Sequence, residues 1–315
     1  MQTTTSHTAF LTEQLEQSLL RSLAYFAVFQ HPLSIGELCQ FGTDQNAGQS
    51  PVQALLDNWV ARGIIFRNGH WYQIYNDPGW VERRVAANRR ADQVLPLATR
   101  IGRLIGSFPF VRSVFVSGSL SKHVMSEKSD VDFFIVTQPG RLWLARTLLI
   151  LFKKVCLLNS HRYFCVNYFV DTENLEIAEK NLFTATEVVT LLPVYGREGY
   201  HTFATANAWA RDFYPGFPPR PTESVPAQRQ GMFKKTLEWV LGGTLGHWLD
   251  TKSMALTLGY WKRKFQHMDQ ETFALALKSE KGISKHHPLH FQQKVLDQYQ
   301  INLHHLTTLL HPEQT

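Results

Sequence analysis

Two aspartates, Asp130 and Asp132, stand two residues apart at the start of an apolar run that continues to Val136. Alternate residues of a β-strand point to the same face, so this spacing predicts two neighbouring carboxylates. Like charges at this distance repel each other, and burial raises the cost. A divalent cation relieves the repulsion, and Mg²⁺ is commonly held by one or two carboxylates together with substrate phosphates. We therefore interpret Asp130 and Asp132 as metal ligands; the alternative is a solvated strand end with an Asx-turn.

A Gly-Ser pair, Gly118 and Ser119, follows another apolar run at residues 113–117. Glycine lets the backbone turn tightly and approach a phosphate closely. Backbone N–H groups at the start of a short helix can hold phosphate oxygens, and the serine hydroxyl can add a hydrogen bond. Lys122 and Lys128, in the polar loop that follows, can neutralise a polyphosphate. We expect these four residues to bind a nucleotide.

Together the two features resemble the signature of the DNA polymerase beta-like nucleotidyltransferase superfamily. The pattern is an apolar strand, Gly-Ser, a gap of ten residues, and Asp-apolar-Asp at the mouth of a second strand, here Val116 to Ser119 and Ser129 to Phe133. The resemblance implies an α+β fold with a mixed sheet and flanking helices. It also implies an Mg²⁺-dependent enzyme that moves a nucleoside monophosphate from an NTP, such as ATP, to a hydroxyl. The acceptor can be a small molecule, a protein side chain or a nucleic-acid end.

Members of this superfamily usually carry a third carboxylate on a neighbouring strand, where it serves as a metal ligand and general base. In this chain a helix is predicted over residues 141–158 and the next strand over residues 162–171. By alternation, one face of that strand carries Cys165, Asn167, Phe169 and Asp171. Asn167 lies mid-strand, where the acid is expected, whereas Asp171 has the charge but lies at the far end. Either residue is a candidate for the third position, and an asparagine there cannot accept a proton well.

The N-terminal region resembles a winged helix over roughly residues 12–76. The apolar spacing predicts three helices, the second of which begins with a capping box formed by Ser34 and Glu37. Two β-prone runs then meet at Asn68-Gly69, a strong hairpin signal. A winged helix often binds DNA through its third helix, but that helix carries only Arg62 as a cation. A packing or partner-binding module is therefore the alternative to DNA binding.

The whole chain is expected to divide into five parts. They are a winged-helix-like domain (1–77), a connecting helix (78–106), a nucleotidyltransferase-like domain (107–200), a Pro-rich linker (201–230) and a helical C-terminal domain (231–315). The connecting helix is rich in arginine, and these side chains either face solvent or line the site that follows.

The composition limits which class of protein this can be and indicates its cellular location. The chain has 315 residues, of which 44% are hydrophobic and 18% charged, and its formal charge is +6. Its three cysteines form no CxxC pair and its N-terminus lacks the features of a signal peptide, so we expect a cytoplasmic location. The most apolar stretch, residues 142–158, is interrupted by Arg146, Lys153 and Lys154, so no membrane span is expected.

A second hypothesis belongs to a different class of function. The positive charge balance and the winged-helix pattern are compatible with a nucleic-acid partner. The missing third acid is compatible with a nucleotidyltransferase-like domain that senses a nucleotide or is inactive. The alternative is therefore a nucleic-acid-binding or regulatory protein.

Overall fold

The computed structural model describes residues 2–42, 48–156, 162–229, 231–266, 279–285 and 289–312. These residues form a mixed α+β structure with two sheets. The helices are α1 (Gln2–Ala27), α2 (Ile35–Gly42), α3 (Gln49–Ala61), α4 (Pro78–Gly106), α5 (Leu142–Cys156), α6 (Leu182–Thr190), α7 (Arg197–Ala206), α8 (Ala210–Phe213), α9 (Met232–Val240), α10 (Thr244–Lys264) and α11 (Leu289–Leu310). The strands are β1 (Leu33–Ser34), β2 (Phe66–Asn68), β3 (Trp71–Gln73), β4 (Val111–Ser117), β5 (Asp132–Thr137), β6 (Cys165–Asp171), β7 (Leu192–Tyr195), β8 (Ser279–Glu280) and β9 (Ile283–Lys285). Among the helices in these ranges, none combines the length and apolarity that crossing a membrane requires.

The N-terminal elements follow from local signals. The predicted capping box is confirmed: the Glu37 carboxylate accepts hydrogen bonds from the backbone N–H and the hydroxyl of Ser34, each at 2.9 Å. The hairpin is confirmed as well, with Gly69 at a φ of +62° between β2 and β3. These strands and β1 form a three-stranded sheet in the order β1-β3-β2, next to α1, α2 and α3.

The connecting helix has the predicted bounds, Pro78–Gly106. Its start is set by Asp77, whose carboxylate accepts the backbone N–H of Gly79 at 2.8 Å, and by a proline at the first helical position. Of its arginines, Arg84 is buried, pairs with Glu37 and lies over the ring of Trp71 at 4.8 Å. That side chain therefore joins α4 to the N-terminal elements.

The central sheet has six strands in the order β7-β4-β5-β6-β9-β8, and only β5 and β6 run parallel. Both of its faces are buried. Phe133 and Ile135 point towards α4, α5 and α10, whereas Phe134 and Val136 point towards α7 and the segment after β6. Asp132 lies at the N-terminal end of this run of buried apolar residues in β5.

A β-bulge in β6 changes which residues share a face. Asn167 has no partner on β5, because Phe134 pairs with Tyr168 instead. Tyr168 consequently lies against Phe134, with ring centroids 4.7 Å apart, while Phe169 packs into the core on the opposite face. The prediction that one face carries Cys165, Asn167, Phe169 and Asp171 is therefore wrong beyond Asn167. One extra residue reverses the alternation on which that prediction depended.

The C-terminal third of the chain is built into the rest of the molecule. Residues 231–315 were expected to form a helical domain, but β8 and β9 extend the central sheet and α11 packs along α1. Likewise, the predicted linker 201–230 places Tyr214 and Phe217 in the core that the N-terminal helices form. The predicted helix over residues 141–158 is observed as α5, and residues 157 and 158 lie outside the described residues.

Candidate functional site

Asp130 and Asp132 lie at the end of the central sheet where β5 begins. The backbone of Val131 pairs with the segment that leads into β6: its N–H donates to the carbonyl of Arg162 at 2.8 Å and its carbonyl accepts from the N–H of Cys165 at 3.1 Å. The Val131 side chain is buried in the core, so both aspartates point away from it by strand alternation. Asp130 is exposed and Asp132 is partly buried.

The turn at Gly118 brings the Gly-Ser pair against Asp132. Ser117 pairs with Asp132 across β4 and β5, and Gly118 follows with a φ of +66°. A Cβ atom at Gly118 would lie 2.7 Å from Oδ2 of Asp132. Glycine is therefore required here both by the backbone conformation and by the carboxylate beside it. The next residue, Ser119, opens a short 3₁₀ turn.

The Asp132 carboxyl group is easier to protonate than a free aspartate. Burial raises its pKa, and the charges of Asp130 and Glu187 add to this effect. Hydrogen bonds from Cys165 and Asn167 act in the opposite direction, and the resulting pKa is about 6. Negative charge at this position is therefore incompletely balanced by the protein, which favours a bound cation or proton.

The two candidates for the third position lie at opposite ends of β6. The Asn167 Nδ2 atom donates a hydrogen bond to Oδ1 of Asp132 at 2.9 Å. Asp171 is buried and pairs with Thr137 at the other end of the parallel ladder. Its carboxylate accepts the backbone N–H of Glu173 at 3.1 Å and the Asn174 amide at 2.7 Å. Asp171 therefore holds the turn after β6, and only Asn167 lies beside the aspartate pair.

Glu187 is a site residue that sequence reasoning missed. It lies in the middle of α6, and its Oε1 atom accepts a hydrogen bond from Nζ of Lys122 at 2.7 Å. The same Nζ donates to the carbonyl oxygen of Gly118 at 3.0 Å. The available signal was that Glu187 is the only charged residue within the α6 sequence, LFTATEVVT. A lone carboxylate on an otherwise uncharged, largely buried helix indicates a polar partner.

Two further lysines, Lys128 and Lys153, differ in how deeply they are buried. Lys128 was predicted as a site residue and Lys153 was not. Lys128 is exposed on the loop that precedes β5. Lys153 of α5, which was predicted only as an interruption of an apolar helix, is buried. Burial lowers the pKa of its amine, while the nearby Cys165 and Asp130 side chains act to raise it. Lys153 thus places a buried cation near the Asp130 side of the site.

Two adjoining cavities open at this end of the sheet, beside the start of β5. Both are lined by Gly118, Asp132, Phe183, Glu187 and Phe291. The smaller has a volume of about 100 Å³ and extends between aromatic side chains of the sheet and of α7. The larger, about 320 Å³, extends past Ser119 and Lys122 to α1 and to His31. The N-terminal elements therefore form one wall of the candidate site.

Asp130 and Asp132 are the residues of this site that could hold a divalent cation. Within the described ranges, no three His, Cys, Asp or Glu side chains lie close enough together to hold a metal by themselves. Asp130 and Asp132 can supply the one or two carboxylates that Mg²⁺ takes when phosphates provide its other ligands. The raised pKa of Asp132 is consistent with such a cation. A cation bound there would offset the negative charge that the protein itself leaves uncompensated.

Comparison with protein-family models, with curated proteins and with solved structures yielded no match to this chain.

Proposed function

We propose that this protein is an Mg²⁺-dependent nucleotidyltransferase that moves a nucleoside monophosphate from an NTP to a hydroxyl acceptor. The observation that carries the proposal is the contact between the Gly118 turn and the Asp132 carboxylate. It supports the proposal because it brings a tight backbone turn and a carboxylate together in one site, as the binding of a phosphate and of a metal ion side by side would require. The same residues carry the resemblance to the DNA polymerase beta-like nucleotidyltransferases, so the proposal includes that type of sheet and a winged-helix-like N-terminal module.

Each side chain has a role that its position supports. Backbone N–H groups at Gly118 and Ser119 bind phosphate oxygens, and Lys122 balances their charge. Asp130 and Asp132 would hold Mg²⁺. When bound, the cation neutralises phosphate charge and lowers the pKa of the attacking hydroxyl. The acceptor oxygen attacks the α-phosphorus, the bond to the β-phosphate breaks, and pyrophosphate leaves.

Glu187 is the residue that we assign to take the proton of the acceptor hydroxyl. Asn167 occupies the place beside Asp132 but its amide cannot accept a proton. Glu187 lines both cavities and is held by Lys122. Incoming phosphates compete for Lys122, and this competition releases the Glu187 carboxylate. In this proposal the general base is a carboxylate on a helix, whereas in the superfamily it is usually a carboxylate on a strand.

The test measures NTP binding and turnover together. Each of the four NTPs, labelled at the α-phosphate, is incubated with the full chain and Mg²⁺, and pyrophosphate release and Mg²⁺–NTP binding are recorded. The variant Asp130→Asn with Asp132→Asn should lose both, because it removes the metal carboxylates. Asp171→Asn is the matched control, since it neutralises a carboxylate of the same sheet at the opposite end of β6. Equal Mg²⁺–NTP binding by the double variant and wild type would refute the assignment.

Asn167→Asp tests the third position directly. The added carboxylate replaces a hydrogen-bond donor beside Asp132 with a like charge, so the free energy of unfolding should fall in the absence of metal. With Mg²⁺ and NTP present, the extra charge should strengthen binding. Thermal unfolding measured with and without Mg²⁺–NTP separates the two effects. An unchanged gain in melting temperature on adding Mg²⁺–NTP would contradict a cation at Asp132.

The nucleic-acid alternative is less well supported by the described side chains. The Arg62 guanidinium at the end of α3 donates to the carbonyl of Leu310 at 3.0 Å. Arg67 of the hairpin lies 3.7 Å from the Asp57 carboxylate and donates to the carbonyl of Gly69. These cations already have partners within the protein. Salt-dependent binding of a DNA duplex, with a slope that indicates several phosphate contacts, would nevertheless support that alternative.

A further inference from the structure

Helix α9 turns two of its three charged residues, Lys234 and Glu238, inward and exposes large apolar residues. Lys234 is buried, and its Nζ donates to the carbonyls of Gly106 and Val111 at 2.9 and 2.6 Å. Glu238 accepts from Arg112 at 2.8 Å on the same side of the helix. The opposite face carries large apolar side chains, among which Phe233 is 73% and Trp239 is 84% exposed.

Helix α10, which follows directly, also exposes an apolar face. Asp250 is buried and accepts the backbone N–H of Leu144 at 2.8 Å, near the start of α5. The solvent-facing side carries Leu245, Trp248, Leu256 and Tyr260, each more than half exposed. Their spacing places them on one face of the helix. Two consecutive helices thus expose their apolar faces, which is unusual for a surface in water alone.

The exposed charged side chains of α9 and α10 all have one sign. The exposed cations of residues 231–266 are Lys235, Lys252, Lys262, Arg263 and Lys264. The same stretch contains only two acids; Asp250 is buried, and Glu238 is largely covered and paired with Arg112. The exposed charges therefore sum to five positive and no negative. Lys252 and Arg263 lie on the same helical face as Trp248 and Leu256.

We propose that this surface of α9 and α10 binds a lipid bilayer that contains anionic lipids. Exposed Trp and Tyr, interspersed with Lys and Arg, suit the boundary between headgroups and acyl chains. The cations match a negatively charged leaflet. A second copy of the chain is a less suitable partner for this surface. A twofold symmetric contact would place the positive charges of one copy against those of the other. A nucleic acid would match the charge but leaves Met232 and Leu256 without an apolar partner.

Vesicle sedimentation of the full chain tests the proposal. Binding should be strong to phosphatidylcholine vesicles that contain phosphatidylglycerol, weak to phosphatidylcholine alone, and reduced by salt. Phe233→Ser with Trp239→Ser and Trp248→Ser should abolish it, since these exposed side chains insert into the bilayer. Lys252→Gln with Arg263→Gln should reduce the partition constant by about tenfold or more, as expected for two cations near an anionic surface.

The matched control is Leu151→Ser with Val155→Ser, which removes apolar side chains that are 55% and 67% exposed on α5. It should bind vesicles like wild type. Absence of binding to the anionic vesicles, or equal loss in this control, would overturn the proposal. A concentration-dependent dimer that the triple serine variant abolishes, or DNA binding without vesicle binding, would also overturn it. Asp130→Asn with Asp132→Asn should bind vesicles normally, so the result is independent of the proposed transfer activity.

Discussion

The substitution Asp132→Asn should stabilise the protein while it removes the proposed activity. Asp132 is held in a partly buried site beside Asp130 and Glu187, and its pKa is raised to about 6 from a reference value of 3.8. An asparagine has nearly the same shape and carries no charge. Its amide oxygen can still accept the hydrogen bond from Asn167. The variant therefore loses the electrostatic penalty and keeps that contact.

The size of the gain follows from the pKa shift. One pKa unit corresponds to about 1.4 kcal/mol, so the charged carboxylate costs up to about 3 kcal/mol above pH 6. An acid whose pKa rises on folding binds more protons in the folded state than in the unfolded state. The free energy of unfolding of the wild type should therefore fall as the pH rises from about 4 to about 6. The advantage of Asp132→Asn should be full at neutral pH, about half as large near pH 5, and absent well below pH 4.

Urea unfolding of both proteins at neutral pH and near pH 5, without Mg²⁺, measures this difference. Asp171→Asn is the control, because that carboxylate accepts two hydrogen bonds in the turn after β6 and its loss should cost about 1 kcal/mol. Equal or lower stability of Asp132→Asn at neutral pH would refute the electrostatic reasoning. A gain of the same size at both pH values would show instead that the effect is not the ionisation of Asp132.

Three further predictions concern the same site. Mg²⁺–NTP binding should weaken as the pH falls through about 6, because the metal needs the ionised Asp132; a calorimetric profile flat from pH 5 to 8 would contradict this. Gly118→Ala should lower the free energy of unfolding by roughly 1–3 kcal/mol in urea and abolish NTP binding, since its Cβ would meet Asp132 from a backbone at positive φ. Lys122→Ala should weaken NTP binding by about ten- to a hundredfold and leave Glu187 unpaired, whereas the exposed Lys128→Ala should change it by about twofold or less. Equal losses in the two lysine variants would argue against a specific role for Lys122.

Local sequence signals account for much of the secondary structure. The capping box of Ser34 and Glu37 and the Asn68-Gly69 hairpin each depend on residues only a few positions apart. The strands around the Gly-Ser pair and the aspartates were likewise predictable, because their apolar runs are bounded by polar turns. The bounds of α4 also match the prediction, and its start is marked locally by Asp77 and by a proline at the first helical position.

Features that depend on distant residues could not be predicted in this way. The bulge at Asn167 reverses the faces of β6, and period-two alternation contains no signal for one unpaired residue. The C-terminal residues looked like a separate helical unit, yet β9 pairs with β6 and α11 packs on α1. When two elements are far apart in the sequence, their pairing or docking depends on how whole surfaces pack together. No short stretch of sequence contains that information.

The sequence by itself determined which chemical groups this protein can bring together: the Gly118 turn, the carboxylates of Asp130 and Asp132, and the lysines of the intervening loop. Their proximity follows from a β-hairpin-like connection that the local pattern encodes. Only the tertiary structure decided the surroundings that set their properties. It buries Asp132 beside Asn167, brings Glu187 from α6 to Lys122, and leaves Asp171 at the far end of its strand. The physical reason is that burial and electrostatic coupling depend on distance in space, and spacing along the chain specifies that distance only within one element or turn.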